Sequence, residues 1–385
     1  GEEVMSVPVR GRPDPLLFGA VAALCLGGLV VIYSASSVAA LEAYGDAAYF
    51  LKRQLVWVGL GGIGLAAASR IHYRTWRRLV PWLLLLSVAS LTAVLIPGVG
   101  VLVNGARRWV DLGPVTVQPV EGAKLALILY LAHFLAGRGP ILRDPWRGLV
   151  PPLLVLGLLG GLVMRQPDMG SAVVLGTITL SLLFAGGVRV RHLGAVLAVG
   201  GPLALWLALS EPYRRDRLLA FLDPWRDPQG IGFHVVQSLI AIGSGGIWGV
   251  GIGRSTQKFF YLPERHTDFV FSILAEELGL VGVVGLVALY LLLLLRIRRL
   301  ALYAPDRYGA LLATGVGSWI ASQIVLNLGA VSGALPVVGV PLPYLSFGGS
   351  SLFALLVACG ICLNLSRYVR SFARTHEVPD RGWAA

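Results

Sequence analysis

The sequence predicts an all-α, polytopic membrane protein with ten transmembrane helices and a long extracellular loop between helices 7 and 8. Three observations carry that reading. The 385 residues are 56% hydrophobic and only 14% charged, with a mean hydropathy of +0.75, too little charge to cover a soluble surface. Apolar runs recur along the chain at lengths near those needed to cross ~30 Å of hydrocarbon. The connections between them are mostly short, so residues 1–385 read as one integral membrane domain, with residues 210–268 as its large loop.

The spans fall at 15–37, 54–69, 79–97, 118–136, 149–164, 170–186, 192–209, 269–295, 309–329 and 349–366. No cleavage signal precedes the first, which is expected to act as the insertion signal itself. Taken in order, the connections alternate in charge. LEAYGDAAYFLKRQ follows the first span and basic IHYRTWRR the second. After the third comes GVGVLVNGARRWVDLGPVTV, and after the fourth basic GRGPILRDPWRG. The RQPDMG turn, basic GVRVRH, the 210–268 loop, basic RIRRLALYAPDR, the 330–348 loop and basic SRYVRSFAR complete the series. Every second connection is basic, which places those loops and both termini in the cytoplasm. The net charge of +12 is therefore loop bias, and nucleic acid is excluded as a partner. The CGIC stretch, Cys359 to Cys362, lies inside an apolar run and reads as packing. Arg107, Arg108 and the arginines of EPYRRDR depart from the bias, pointing to an anionic ligand or to headgroup contact.

Polar residues then mark where chemistry can sit. The fourth span opens QPVEGAKL, with Pro119 in the first turn. Glu121 and Lys124 are spaced i,i+3, share a face and are expected to pair as they enter the bundle. In RQPDMGSA, Asp168 can cap the following helix, and Arg165, Gln166 and Asp168 can line an exterior site. The 210–268 loop carries a turn-rich DPWRDPQG, a short amphipathic HVVQSLIAIG expected at the interface, and a glycine-spaced GSGGIWGVGIGRSTQK. That last stretch has no GK[ST] and no βαβ context, so no nucleotide cofactor is expected. Lys258 can serve as a point charge for diphosphate. His266 and Asp268 follow at the head of the eighth span, where Thr267 or Asp268 can also cap the helix. Glu276 and Glu277 lie roughly 12–14 Å of helix rise beyond Asp268, too deep for capping. They cannot share a metal with Asp268 unless the helix is broken, and they are expected to support the bundle. Before the last span, prolines interrupt SGALPVVGVPLPYLSFGGSS, and the turn around Ser350 offers N–H groups to an anion or packs tightly.

These stretches (NGARRWVDLG, QPVEGAKL, QPDMGSA, FLDPWRDPQGIGFHVVQS, LPERHTDFVFSILAEELG and LPVVGVPLPYLSFGGSS) resemble, in order and over most of the chain, the SEDS family of RodA, FtsW and SpoVE cell-wall polymerases. The resemblance implies a peptidoglycan glycosyltransferase polymerising lipid II on the outer face of the bacterial cytoplasmic membrane. It places the family's essential aspartate on Asp268 and its fourth-helix glutamate and lysine on Glu121 and Lys124. It also implies a class B penicillin-binding protein as partner, within a cell-elongation or division complex. Short termini and compact loops fit the RodA branch, which serves elongation and cell shape. The septal FtsW branch is the alternative within the family, and a lipid II flippase the alternative of another class.

Under this reading Asp268 is the catalytic candidate, either as a base or as the ligand of a divalent cation, Mg²⁺ or Mn²⁺. Glu121 and Lys124 form a supporting polar site. Lys258, Arg107 and Arg108 are candidates for diphosphate binding, and Gln166, Asp168, His266 and Ser350 for lining the site.

Overall fold

The computed structural model describes residues 11–103, 105–113, 115–138, 144–256 and 267–375, and most of them are helical. Helix α1 (Pro15–Tyr44) begins where Asp14 accepts the Leu16 and Leu17 N–H groups at 3.0 and 3.3 Å. It ends at Gly45, whose φ of +69° suits a residue without Cβ. Helices α2 (Tyr49–Arg70) and α3 (Trp76–Ala93) follow, joined by a 97° bend. Then come α4 (Pro119–Ala136), α5 (Pro145–Arg165), α6 (Met169–Ala185) and α7 (Val190–Leu209). The chain continues through α8 (Pro212–Leu222), α9 (Phe233–Ser244), α10 (Val270–Leu302), α11 (Arg307–Val331) and α12 (Gly349–Thr375).

By length and composition, among the described residues α1, α4, α5, α7, α10, α11 and α12 can each cross a membrane, and the bent α2–α3 pair raises seven spans to eight. The sequence had suggested ten. The difference lies in α2 and α3, which qualify together, and in α6, which is apolar but only 17 residues long.

The all-α expectation also needs correction. Residues of the third connection form strands β1 (Gly100–Val103), β2 (Ala106–Asp111) and β3 (Thr116–Val117), an antiparallel sheet in that order. Val103 pairs with Ala106, and Gly105 has a φ of +76°. The NG dipeptide of the sequence is the usual signal for such a hairpin.

Helix α12 runs along α2, α1 along α10, and α4 lies between α3 and α11, with α6 closing on α11. Helices α4 and α12 are the most enclosed and α7 the least, so an apolar surface on all sides means burial for the first two and lipid contact for the last. Helix α9, the amphipathic stretch expected at the interface, is tied to the bundle by its buried face. Its Ser238 hydroxyl donates to Val331 O at 2.6 Å and shares a 2.7 Å hydrogen bond with Ser272 Oγ, binding α9 to α10 and α11.

The basic connections gather at one end of the bundle. Arg296 pairs with buried Asp14, whose backbone N–H donates to Ser366 Oγ at 2.9 Å. Tyr73 Oη and Arg74 Nε each donate to Asp306 Oδ2 at 2.7 Å, and Asp306 caps α11 through Gly309 N–H. Burial pushes the Asp306 carboxyl up, but the hydrogen bonds from Gly309, Tyr73 and Arg74 outweigh it and hold the carboxyl below its ordinary value.

Candidate functional site

At the opposite end, Asp268 sits half-buried in the turn that starts α10. Its position is fixed through its main chain. The Asn327 side-chain amide, on α11, donates to both Asp268 O and Val340 O at 2.8 Å, fastening the start of α10 to the irregular segment after α11. That segment closes a shallow cleft around Asp268 with Val337, Val338 and Gly339. Gly339 has a φ of +71°, and a methyl group placed on it would lie 3.5 Å from Asp268 Oδ2 and 3.9 Å from Arg217 Nη1. The carboxylate and a guanidinium from α8 therefore converge on one glycine. Arg217 also donates to Val337 O at 3.5 Å.

Glu121 and Lys124 form the pair that their spacing predicts. Lys124 Nζ donates to Glu121 Oε1 at 2.7 Å, with side chains 1% and 3% exposed for lysine and glutamate. The ammonium also lies 6.0 Å from the centre of the Trp319 ring on α11. Such burial is tolerable for a charge only because the opposite charge is in contact. Helix α11 is the link between the two centres, since it packs on α4 beside the pair and carries Asn327 beside Asp268.

Among the remaining candidates, Arg108, Gln166, Asp168 and Ser350 make hydrogen bonds that hold neighbouring elements together. Arg108 Nε donates to Gln166 O at 2.9 Å and its Nη2 to Pro167 O, so it clamps the α5–α6 turn to β2. Gln166 is buried and reaches Leu91 O at 2.9 Å. Asp168 caps α6 through Ser171 N–H at 3.1 Å and accepts Gln118 Nε2 at 3.2 Å. Ser350 Oγ accepts Gln118 N–H at 2.8 Å, joining the heads of α4 and α12. Arg107 is half-buried on β2, opposite Leu102. Lys258 and His266 lie outside the described residues.

Glu276 and Glu277 do support the interior, by holding a loop. Glu276 Oε1 accepts Thr256 N–H and Oγ1, both at 2.8 Å, and its Oε2 accepts Ser255 Oγ. Glu277 Oε1 accepts Ser34 Oγ at 2.5 Å and Gly253 N–H at 3.0 Å. Immediately afterwards α10 is broken at Gly279, with φ +64° and ψ −163°. The break frees main-chain groups, so Val250 N–H reaches Glu276 O, Gly251 N–H reaches Glu277 O, and Gly246 O accepts Leu280 N–H at 2.9 Å. The break falls beyond both glutamates, so Asp268 is no nearer to them than an unbroken helix would place it.

A single carboxylate does not make a cation cage. Among the described residues no group of three or more His, Cys, Asp and Glu side chains comes together to hold a metal. A divalent ion at Asp268 fits only if substrate phosphate oxygens supply further ligands. Sequence reasoning passed over Asn327 and did not single out Arg217 within EPYRRDR. The signal for Asn327 was an amide inside an apolar span, which lipid alone would not tolerate.

The family described as cell cycle protein, of the FtsW, RodA and SpoVE type, matches residues 15–371. Stage V sporulation protein E of Bacillus subtilis is 43% identical over 361 residues, covering 94% of this chain and 99% of that protein. The probable peptidoglycan glycosyltransferase FtsW of Trichlorobacter lovleyi is 42% identical, with 94% and 96% covered. Among solved structures, a chain from a peptidoglycan synthase complex described as coordinating polymerization and crosslinking has a TM-score of 0.76 at 39% identity, covering 92% of this chain and 98% of that one. Rod shape determining protein RodA of Thermus thermophilus has a TM-score of 0.69 at 36% identity, with 92% and 97% covered.

Proposed function

Since the chain belongs to the FtsW, RodA and SpoVE family of SEDS peptidoglycan polymerases, we propose that it polymerises lipid II into β-1,4 glycan strands at the outer face of the cytoplasmic membrane. It is an enzyme of the peptidoglycan glycosyltransferase class, and the proposal concerns its substrate, its chemistry and its setting. The observation that carries it is the convergence of the Asp268 carboxylate and the Arg217 guanidinium on Gly339.

In the proposed reaction the 4-hydroxyl of the acceptor GlcNAc attacks C1 of the donor MurNAc. The bond from C1 to the diphosphate oxygen breaks, the hydroxyl proton passes to Asp268, and undecaprenyl diphosphate leaves with the bonding pair. One displacement turns an α-linked donor into a β-linked product, so no glycosyl-enzyme is required. Asp268 acts as the base, and Arg217 sits where it can neutralise the leaving diphosphate. A divalent cation shared between Asp268 and the diphosphate would supply further neutralisation when bound. Ten spans, cytoplasmic termini and an exterior Asp268 belong to this proposal, supported by the gathering of basic connections at the end opposite Asp268.

A class B penicillin-binding protein is the proposed partner, in line with the synthase complex among the structural neighbours. The RodA-type elongation role must contend with relatives named SpoVE and FtsW. Its test is whether the chain restores rod shape, rather than septation, to cells depleted of each native polymerase.

Synthesis of glycan from purified lipid II tests the reaction. Asp268→Asn keeps the side chain's size and is expected to cut product by about 10²-fold or more, the usual worth of a general base. Near-normal product from that variant defeats both the base and the metal role. Inhibition by chelator, reversed by Mg²⁺ or Mn²⁺, supports the cation.

A further inference from the structure

Between the Glu121–Lys124 pair and Asp268 lies a stripe of polar side chains on α11 that the reaction outlined above does not use. Trp319, Gln323 and Asn327 recur every fourth residue, so they share one face of the helix. All three are buried, at 0%, 0% and 3% exposure. The register of α11 against α4 is fixed by two contacts. A Cβ on Gly315 would lie 2.6 Å from Ile128 Cγ2, and Lys124 Nζ lies 6.0 Å from the Trp319 ring. Along α11 the numbers rise as those along α4 fall, so the helices are antiparallel, and one turn beyond Trp319 the side chain of Gln323 comes level with Glu121.

At this level the structure leaves buried polar atoms without hydrogen-bond partners among the described residues. They are Trp319 Nε1, both Gln323 side-chain atoms, Glu121 Oε2 and Asn327 Oδ1. Leaving such atoms unpaired in an apolar interior is costly, and here their hydrogen-bonding capacities match. The Trp319 indole supplies one hydrogen and the Gln323 amide two. Gln323 Oε1, Glu121 Oε2 and Asn327 Oδ1 can accept them. Gln323 is the member that both donates and accepts.

We infer that Gln323 is a positioning residue that joins the two halves of the site. Its amide donates to Glu121 Oε2 and Asn327 Oδ1 and accepts from the Trp319 indole, by a small side-chain shift or through a bridging water. Glu121 already holds Lys124 by its other oxygen, and Asn327 already grips the Asp268 carbonyl. Gln323 thereby couples the orientation of the buried pair to the placement of Asp268. This rests on the polymerase reading for its consequence, but not for the hydrogen-bond network itself.

Two measurements on the full-length protein test it. Gln323→Leu, of similar bulk but without polar atoms, is expected to lower kcat on lipid II by about tenfold or more, the rate equivalent of a hydrogen bond to a charged group, with KM unchanged. Gln323→Asn, one methylene too short to span the network, is expected to do the same and decides the matter should the leucine variant not fold. A variant whose unfolding midpoint drops while kcat stays at the wild-type value has lost packing only, and overturns the inference. The second measurement is the ¹⁵N-edited indole N–H resonance of Trp319, assigned with Trp319→Phe. It is expected to move upfield in both Gln323 variants, and an unchanged resonance overturns the network. If the wild type makes no glycan, the polymerase reading falls while the indole resonance still decides the network.

Discussion

Removing the Lys124 ammonium while keeping its bulk, as in Lys124→Met, isolates one physical quantity, a glutamate left in the bundle without its cation. Both side chains are almost wholly enclosed, the pair is at 2.7 Å, and apart from the Gln323 amide inferred above the second glutamate oxygen has no partner among the described residues. Breaking a buried pair by removing one member costs about 3–5 kcal/mol. The expected loss is therefore about 3–5 kcal/mol of folding stability. Unfolding of the purified protein in mixed detergent micelles, followed by tryptophan fluorescence, measures it. Glu121→Gln combined with Lys124→Met removes both charges and is expected to recover more than half of the loss, though not the activity. The reasoning fails if the single variant loses less than about 1 kcal/mol, the range of an exposed pair, or if the double variant is no more stable than the single.

Arg108→Leu should lower stability by about 1–3 kcal/mol through two lost carbonyl contacts. If Arg108 instead bound diphosphate, the KM for lipid II would rise with stability intact, which separates the roles in one set of assays. Gly279→Ala should cost at least about 1–3 kcal/mol for the backbone alone, since a Cβ there would also lie 2.3 Å from Gly249 N and 2.6 Å from Ile247 O. Limited proteolysis should then cleave more readily within residues 245–256. Asp306 has a lowered carboxyl pKa, so its contribution to stability is complete above the unfolded value of about 4 and is lost as pH falls through the folded value. Asp306→Asn should accordingly flatten the acid limb of an unfolding-midpoint profile between roughly pH 5 and pH 2, and an unchanged limb would refute the role assigned to its hydrogen bonds.

What the sequence made legible depended on whether the cause was local. The fourth span was expected at 118–136 and α4 covers Pro119–Ala136, because an apolar run ended by a proline and a glycine contains its own limits. The Glu121–Lys124 pair was readable for the same reason, its partners being one helical turn apart. The break at Gly279 was not, since one glycine among several in LGLVGVVG looks alike until residues 246–251 are seen bonded across it. Arg108 shows a partner that no local pattern announces. An arginine outside the basic loops suggested an anion or headgroup contact, and the structure adds hydrogen bonds to the carbonyls of Gln166 and Pro167, 58 and 59 residues away. Asn327 gave a polar signal within a span, yet its two acceptors are set by the tertiary path.

The pairing of Asp14 with Arg296 also has a history in time. The two residues are 282 positions apart in the chain. At about 5–20 residues per second, a ribosome that has just made Asp14 needs roughly 15–55 s to reach Arg296. Through that interval the first helix has its acidic cap without its cation, and headgroups or water must serve instead. Helix α1 thus gains its α10 partner only after more than half of the bundle has been made. A nascent chain stalled before α10 holds an unfinished bundle, with α1 able to pack on α2 while its α10 face stays open.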